Sequence, residues 1–406
     1  MRLRTYNEGA VSPPKLHRNV LALGVVSLLT DLSSEMVYPL LPVFLVTTLA
    51  SGPAALGLIE GVAETTASLL KLYSGAWSDR AGKKKPLVLL GYGVSALARP
   101  LAGFAGSWVH VLAVRIADRI GKGVRTSPRD ALIAAHVPPQ LRGKAFGLQR
   151  SLDHLGAVLG PVAAFALLWA GLSLRSVFLL SVIPGLLAVA VIALRVQDAP
   201  AEGAPPHAGG VLRRDGIPAG FRRYLALVGL FTLGNASDAF LILRAVDEGV
   251  PARYVPLLWG AFHVVKSSLS TPAGALSDRV PRKWVVAGGW CVYAACYAAF
   301  AVVKGPFPTV AVFLLYGLYA AACEGAERAM VADFVPASRR GTAFGWFHLV
   351  VGVCALPASV LFGLLWNAFG AATAFAASAG LAVSAALLLL FLADPAVTAT
   401  NPNVPD

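Results

Sequence analysis

The sequence predicts an all-helical, polytopic membrane protein of twelve spans, arranged as two related halves of six, with both termini on the cytoplasmic side. Three observations carry this. Of the 406 residues, 57% are hydrophobic and only 14% charged, with a mean hydropathy of +0.68; soluble chains are about 25% charged. Apolar stretches long enough to cross a hydrocarbon core, about 20 residues each, recur along the whole chain. Segments on either side of a Pro- and Gly-rich stretch also repeat one another at a spacing of about 200 residues.

Apolar periodic segments fall at 19–48, 53–77, 86–106, 108–136, 143–171 and 173–195, then at 222–246, 253–277, 283–303, 306–334, 341–369 and 371–393. On span 1, Ser27, Asp31, Ser34, Glu35 and Tyr38 recur every three or four residues, the helical spacing of one face. On span 2, Glu60, Glu64 and Lys71 share a side; Arg99 stands deep in span 3; Arg150 and Asp153 open span 5. Span 7 carries Asn235 and Asp238, span 8 His263 and Lys266, and span 10 Glu324, Glu327 and Arg328. Between spans 6 and 7, QDAPAEGAPPHAGGVLRRDG (197–216) has no hydrophobic period and reads as a cytoplasmic linker. This divides the chain into an N-terminal six-helix bundle (1–196), a linker (197–220) and a C-terminal bundle (221–406). GAWSDRAGKKK (75–85) recurs as GALSDRVPRKW (274–284), VPPQLRGKAFG (137–147) as VPASRRGTAFG (335–345), and TDLSSE (30–35) more weakly as LGNASD (233–238). A six-span internal repeat is typical of transporters, whose substrate sites lie near the midplane between the repeats.

The net charge of +13 invites a nucleic-acid reading, but its distribution opposes one. Basic residues gather at alternate loops: Arg2, Arg4, Lys15 and Arg18, then Arg80 with Lys83 to Lys85, Arg142 with Lys144, Arg195 with Arg213 to Arg223, Arg279 with Arg282 and Lys283, and Arg339 with Arg340. The loops between them, such as SGPAA (51–55), carry almost none, which is positive-inside patterning. No removable signal peptide is expected. Cys291, Cys296, Cys323 and Cys354 fall inside apolar segments without zinc or redox spacing and read as buried thiols, so no metal is expected.

The stretch RIADRIGKGVRTSPRD (115–130) places seven charges in span 4. Facing lipid they would cost roughly 17–25 kcal/mol. At 100° per residue, Arg115, Asp118, Arg119, Lys122, Arg125, Arg129 and Asp130 lie within an arc of about 140°, so this face is expected to turn toward a cavity. GKGV lacks the flanking residues of a phosphate-binding loop. The N-half acids (Asp31, Glu35, Glu60, Glu64, Asp118, Asp130, Asp153) nearly balance its bases (Lys71, Arg99, Arg115, Arg119, Lys122, Arg125, Arg129, Arg150). Pairing that simply ties spans 1, 2 and 4 together is therefore the competing reading, although buried pairs add little net stability.

Along nearly its whole length the chain resembles the major facilitator superfamily of secondary transporters, in its drug–proton antiporter-like branch. Gly75-x-x-x-Asp79-Arg80-x-Gly82-Lys83-Lys84 matches the family's signature between spans 2 and 3, and Gly274 to Arg282 copies it less fully. Arg115 keeps the family's spacing to Gly143. Gly147, Gly156, Gly160 and Pro161 follow a span-5 pattern of proton antiporters, with Ala164 and Phe165 where two more glycines are usual. The resemblance implies alternating access by a multi-pass protein of a plasma membrane, the bacterial inner membrane by expectation. It gives the Asp79–Arg80 loop, with Asp278 and Arg279 as second-half copies, the role of a latch between halves, and makes Gly156, Gly160 and Pro161 a span-5 hinge.

Proton coupling requires a carboxyl whose environment changes as the site opens to either side. Glu35 and Asp31 come first, Asp238 next as approximate repeat-mate of Glu35, then Glu60 and Glu64. The basic excess on span 4 points to an anionic solute, since Arg recognises carboxylate or phosphate in bidentate fashion. Arg115, Arg119 and Lys122 are the expected binding residues, with Asp118, Arg125, Asn235 and Glu324 around them. Proton-driven efflux or antiport of a small polar or anionic solute is the expected function. Efflux of hydrophobic or cationic drugs, with Trp259, Phe262 and Trp346 as a partial wall, is the alternative. An intramembrane enzyme is a remote one, because the histidines are dispersed without HExxH and no Ser or Cys nucleophile motif occurs. No ATP-binding motif appears, so no cofactor is expected and a proton gradient is the energy source. The expected partners are a small-molecule substrate, protons and the lipid bilayer, with no nucleic acid, for a monomer.

Overall fold

The computed structural model describes residues 18–81, 83–138, 141–198, 218–335 and 340–392, without the side chains of 72, 75–81, 142–143 and 340–342. Among the described residues there is no strand. The N-half helices are α1 (Arg18–Thr47), α2 (Pro53–Ala81), α3 (Lys85–Phe104), α4 (Trp108–Ala135), α5 (Arg142–Trp169) and α6 (Leu174–Arg195). In the second half they are α7 (Ala219–Asp247), α8 (Val255–Arg279), α9 (Arg282–Val302), α10 (Pro306–Asp333), α11 (Arg340–Phe369) and α12 (Ala371–Leu392). Nine of these are long and apolar enough to cross a membrane by length and composition. The other three, α2, α4 and α8, are helices on which the sequence placed charged faces.

Four helices depart from regular α-helix along their length: α3 tightens into 3-10 turns over Arg99–Phe104, α6 is interrupted at Ser181, and α1 and α7 break near their middles. In α1 the run YPLLP puts two prolines in one turn, and the chain tightens into a 3-10 turn at Tyr38–Leu40 before resuming. In α7 the first helix ends at Gly234 and the second starts at Ala239, leaving Asn235 to Asp238 outside regular helix. Turns after α5, α7, α9 and α11 pass through Gly171, Gly249, Gly305 and Gly370 at φ of +84° to +93°, backbone that glycine adopts without strain. Helix alternation puts all four at one end of the bundle.

One apolar core runs through both halves, joining Met36, Phe44 and Phe178 to Phe240 and Phe375. Its second-half part is aromatic: Phe231 stacks on Trp290 at 4.4 Å, and Tyr293 on Tyr297 at 4.1 Å. In the first half a cluster of Val20, Leu23, Val88, Tyr92, Leu132, Ala188 and Ile192 is fully or almost fully buried. The halves meet along two seams, α2 against α11 and α5 against α8. Small residues let the backbones approach: a Cβ on Gly57 would lie 2.2 Å from Ser359 O, and one on Gly363 2.5 Å from Pro53 O.

Most of the expected linker (199–217) and the tails before 18 and after 392 lie outside the described residues, as does Gly82 of the gating signature. Gly75, Asp79 and Arg80 sit at the end of α2, with their side chains outside the description. The thiol expectation needs one correction. Cys296 and Cys323 are buried and Cys354 is half-buried, whereas Cys291 is exposed, because its turn of α9 faces the outside of the bundle.

Candidate functional site

The charged arc of α4 packs against α2 and α3, and those neighbours supply its first partners. The guanidinium of Arg115 grips the Glu60 carboxylate through Nε (3.0 Å) and Nη2 (2.6 and 2.8 Å). Arg99 Nε donates to Asp118 at 2.8 Å, and Arg99 Nη1 to the carbonyl of Thr30 at 3.1 Å. Arg125 donates to Ser95 Oγ and lies 4.4 Å above the Tyr92 ring. All five charged groups are buried, and such charges persist only when paired and hydrogen-bonded.

Arg119 and Lys122 differ. Neither side chain has a hydrogen bond or an ion pair within 4 Å among the described residues, and the buried Arg119 Nε has no partner. Both line a cavity of about 440 Å³ between the halves, together with Asp31, Glu35, Tyr38, Glu64 and the paired groups above. Phe231, Asn235, Ser237, Asp238, Trp259, His263, Tyr319 and Glu327 form its opposite wall. The structure thus brings together every proton-coupling candidate and all the binding candidates but one.

That exception is Glu324, which lies outside the lining. It bonds Lys266 at 3.0 Å, with Arg328 at 3.5 Å and Arg150 at 3.9 Å. One turn of α10 separates its direction from that of Glu327, which does face the cavity. Arg129 and Asp130 also miss the lining and bond each other at 2.8 Å.

Three lining carboxyls accept from an aromatic donor instead of a cation. Trp259 Nε1 donates to Glu35 at 2.7 Å, Tyr316 Oη to Asp238 at 2.7 Å, and Trp290 Nε1 to Glu327 at 2.8 Å. The Trp259–Glu35 bond crosses between the halves. So do Tyr38 Oη with Ser237 Oγ (3.4 Å), which joins the broken segments of α1 and α7, and Ser237 Oγ with Glu60 Oε2 (3.3 Å), which ties that segment of α7 to α2.

Near the turns that follow α5 and α7 the two halves are in contact. A Cβ on Gly260 would lie 3.4 Å from Pro161, the Phe165 ring stacks on Tyr254 at 6.0 Å, and Arg253 lies over Trp169 at 5.7 Å. Toward the opposite end, the Arg150 and Arg328 side chains are 47% and 46% exposed. Gly156 and Gly160 seat α5 on α1: Cβ atoms there would lie 2.3 Å from Leu28 O and 2.7 Å from Leu32 O. Asp31 and Glu35 stand on the same turns of α1. Ion pairs between the halves stand only at the outer limit of contact among the described residues, Arg150 with Glu324 (3.9 Å) and His263 with Glu35 (4.0 Å).

The family model of the Major Facilitator Superfamily matches residues 23–262 and 227–406. The chain belongs to the major facilitator superfamily. It is 35% identical over 389 residues to an uncharacterized MFS-type transporter of Methanocaldococcus jannaschii, covering 93% of this chain and 96% of that one. A multidrug resistance protein of Yersinia enterocolitica is 29% identical over 137 residues, 34% of each chain. The crystal structure of a nucleoside transporter superposes with a TM-score of 0.79 at 13% identity, covering 92% of this chain and all of that one. A bacterial homolog of the human lysosomal transporter Spinster, inward-facing and unoccupied, gives 0.74 at 18% identity, covering 94% and 96%. This MFS protein is therefore a multi-pass membrane transporter and not an enzyme.

Trp259 was legible only as a piece of aromatic wall, and Glu327 only as one polar residue of span 10. Trp290, Tyr316 and Ser237 gave no signal, because what singles them out is a partner on another helix.

Proposed function

We propose that this transporter moves a small solute bearing an anionic group by alternating access, driven by proton antiport. All twelve helices span the membrane, with both termini on the cytoplasmic side. The observation that carries the reading is the contrast along α4: Glu60 and Asp118 already pair with Arg115 and Arg99, while Arg119 and Lys122 face the cavity with no carboxylate within 4 Å among the described residues, Glu64 and Asp31 being the nearest acids of the same wall. A carboxylate, phosphate or sulfonate would fill that place with charge-assisted hydrogen bonds. The cavity sits between the repeats, where transporter sites form. The contacts near the turns after α5 and α7, with exposed basic groups at the other end, support an inward-open state of a protein in a bacterial inner membrane.

Glu35 is the coupling carboxyl, with Asp31 and Asp238 beside it. Its bond from Trp259 ties the halves when Glu35 is ionised, and protonation weakens that tie. Protons and solute are the only partners required, without a cofactor or metal, for a monomer in lipid. The Asp79–Arg80 loop and its copy at Asp278 and Arg279 latch the halves in the opposite state.

Purified protein is screened by thermal shift with small organic anions and with lipophilic cations. Hits are then tested for uptake into proteoliposomes under an imposed pH gradient. Stabilisation by anions and pH-driven flux support the reading. Flux indifferent to the pH gradient, or found only with lipophilic cations, sinks it. A second reading, multidrug efflux, is favoured by the partial similarity to the Yersinia protein and by the aromatic wall; cation hits in the same screen would select it.

A further inference from the structure

We propose that the solute is a zwitterion whose acidic group docks on Arg119 and Lys122 and whose ammonium docks on Asp238 and Glu327. This rests on the anion reading above and adds a second charge of opposite sign. The first-half wall carries both signs, with Asp31, Glu35, Glu60, Glu64 and Asp118 beside its bases, whereas the charged groups of the second-half wall are all acidic. Every Lys or Arg lining the cavity belongs to α3 or α4, and the second half contributes none. That half contributes two carboxyls, Asp238 and Glu327, set among Phe231, Trp259 and Tyr319.

Each of these carboxyls has one oxygen anchored behind the wall, by Tyr316 and Trp290, neither of which lines the cavity. The other oxygen of each has no hydrogen-bond partner, and no Lys or Arg lies within 4 Å of either group among the described residues. A single ring donor holds the carboxyl in place and leaves its second oxygen available. An ammonium supplies three N–H donors to such oxygens and is also attracted to the faces of neighbouring rings. Anchored carboxyls beside aromatic rings are a cation subsite.

A plain anion would meet these two carboxyls across from its own site and be repelled. A plain cation would meet Arg119 and Lys122. Discrimination of this kind works by opposing the wrong partner as much as by attracting the right one. A molecule with both charges satisfies both walls. The cavity, about 440 Å³, sits at the lower end of the usual range for small-molecule sites, which suits a solute the size of an amino acid.

The test compares three panels by thermal shift and equilibrium binding on the full-length protein: free amino acids, their N-acetyl derivatives (anion only) and their amides (cation only). We expect at least one free amino acid to bind about tenfold or more tightly than both of its derivatives, as loss of a charged hydrogen bond predicts. Glu327→Gln should erase the preference over the N-acetyl form, and Arg119→Ala the preference over the amide. Asp238→Asn serves in place of Glu327→Gln if that variant does not fold. N-acetyl forms binding as well as their parents would overturn the zwitterion and leave the anion reading standing. Binding by amides alone would overturn both. If no panel member binds, the zwitterion is rejected and the anion reading is judged by its own flux assay.

Discussion

Trp259 of α8 donates its indole N–H to the Glu35 carboxylate of α1 at 2.7 Å, from one half of the transporter to the other. The Tyr38 ring packs on Trp259 at 5.2 Å beside it, and the His263 imidazole stands 4.0 Å from the same Glu35 oxygen. A carboxyl on the seam between two moving bodies changes its surroundings whenever they move, and a coupling group must do so.

Neutralising this carboxyl should therefore separate driving force from movement. Glu35→Gln is expected to abolish uptake driven by a pH gradient while solute exchange persists. Trp259→Phe should weaken the inward-open state by about tenfold, the worth of one hydrogen bond to a charged group. Flux in proteoliposomes with and without the gradient, with cysteine crosslinking across the seam, reads both. Undiminished uphill transport by Glu35→Gln would remove Glu35 from the mechanism.

Arg115 and Arg119 are one helical turn apart and should fail in opposite ways. Arg115→Ala strands Glu60 in a buried place without its cation and should cost about 3–5 kcal/mol of stability. Arg119→Ala breaks no hydrogen bond and no ion pair within 4 Å among the described residues and should cost much less stability than Arg115→Ala, while solute binding falls tenfold or more. Thermal unfolding in detergent beside a binding isotherm separates them.

The glycines of α5 offer a sign test. Alanine for glycine inside a helix ordinarily gains about 1 kcal/mol, and Gly147→Ala, where a Cβ meets open space, should follow that rule. Gly156→Ala puts a Cβ 2.3 Å from Leu28 O and 3.1 Å from the Cβ of Asp31. It should lose about 1–3 kcal/mol through overpacking and displace the coupling acids. Equal melting temperatures for the two variants would contradict the packing described.

Outside the membrane-spanning segments, the Gly305 backbone N–H, with Arg244 and Lys304 nearby, holds the Glu248 carboxyl below the usual glutamate range. A depressed value means that its contribution is complete above the ordinary value of about 4.3 and fades as pH falls through the lowered one. Melting curves should show the parent losing stability in that acidic window. Glu248→Gln should melt lower at neutral pH and show a smaller dependence there, because it has already lost the Arg244 pair.

Much of this was legible along single helices. The period of α4 put seven charges on one inward arc; Arg115, Asp118, Arg119, Lys122 and Arg125 do line the cavity, while Arg129 and Asp130 of the same arc do not and pair with each other. The repeat at Glu35 and Asp238 foretold two acids on opposing walls. Pairing was not legible. Nothing in the spacing says that Glu60 takes Arg115 and leaves Arg119 bare, because that depends on the axial register of α2 against α4. The same holds for Glu327 over Glu324: they are three residues apart on one polar face, and only the tilt of α10 decides which one enters the cavity.

Among the described residues the close, buried ion pairs all lie inside one half or the other, and the two that cross sit at 3.9 and 4.0 Å. Each half is thus electrostatically self-contained, like a machine part finished before assembly. Tilting one against the other leaves the close buried pairs intact; what it must break among the described residues is four hydrogen bonds, two of them short, from Trp259 to Glu35 at 2.7 Å and from Thr65 to the Gly352 carbonyl at 2.6 Å. The barrier to turnover is then set by the glycine seams and by the occupant of the cavity, so an empty carrier and a loaded one can differ in speed without any change in the bodies that move.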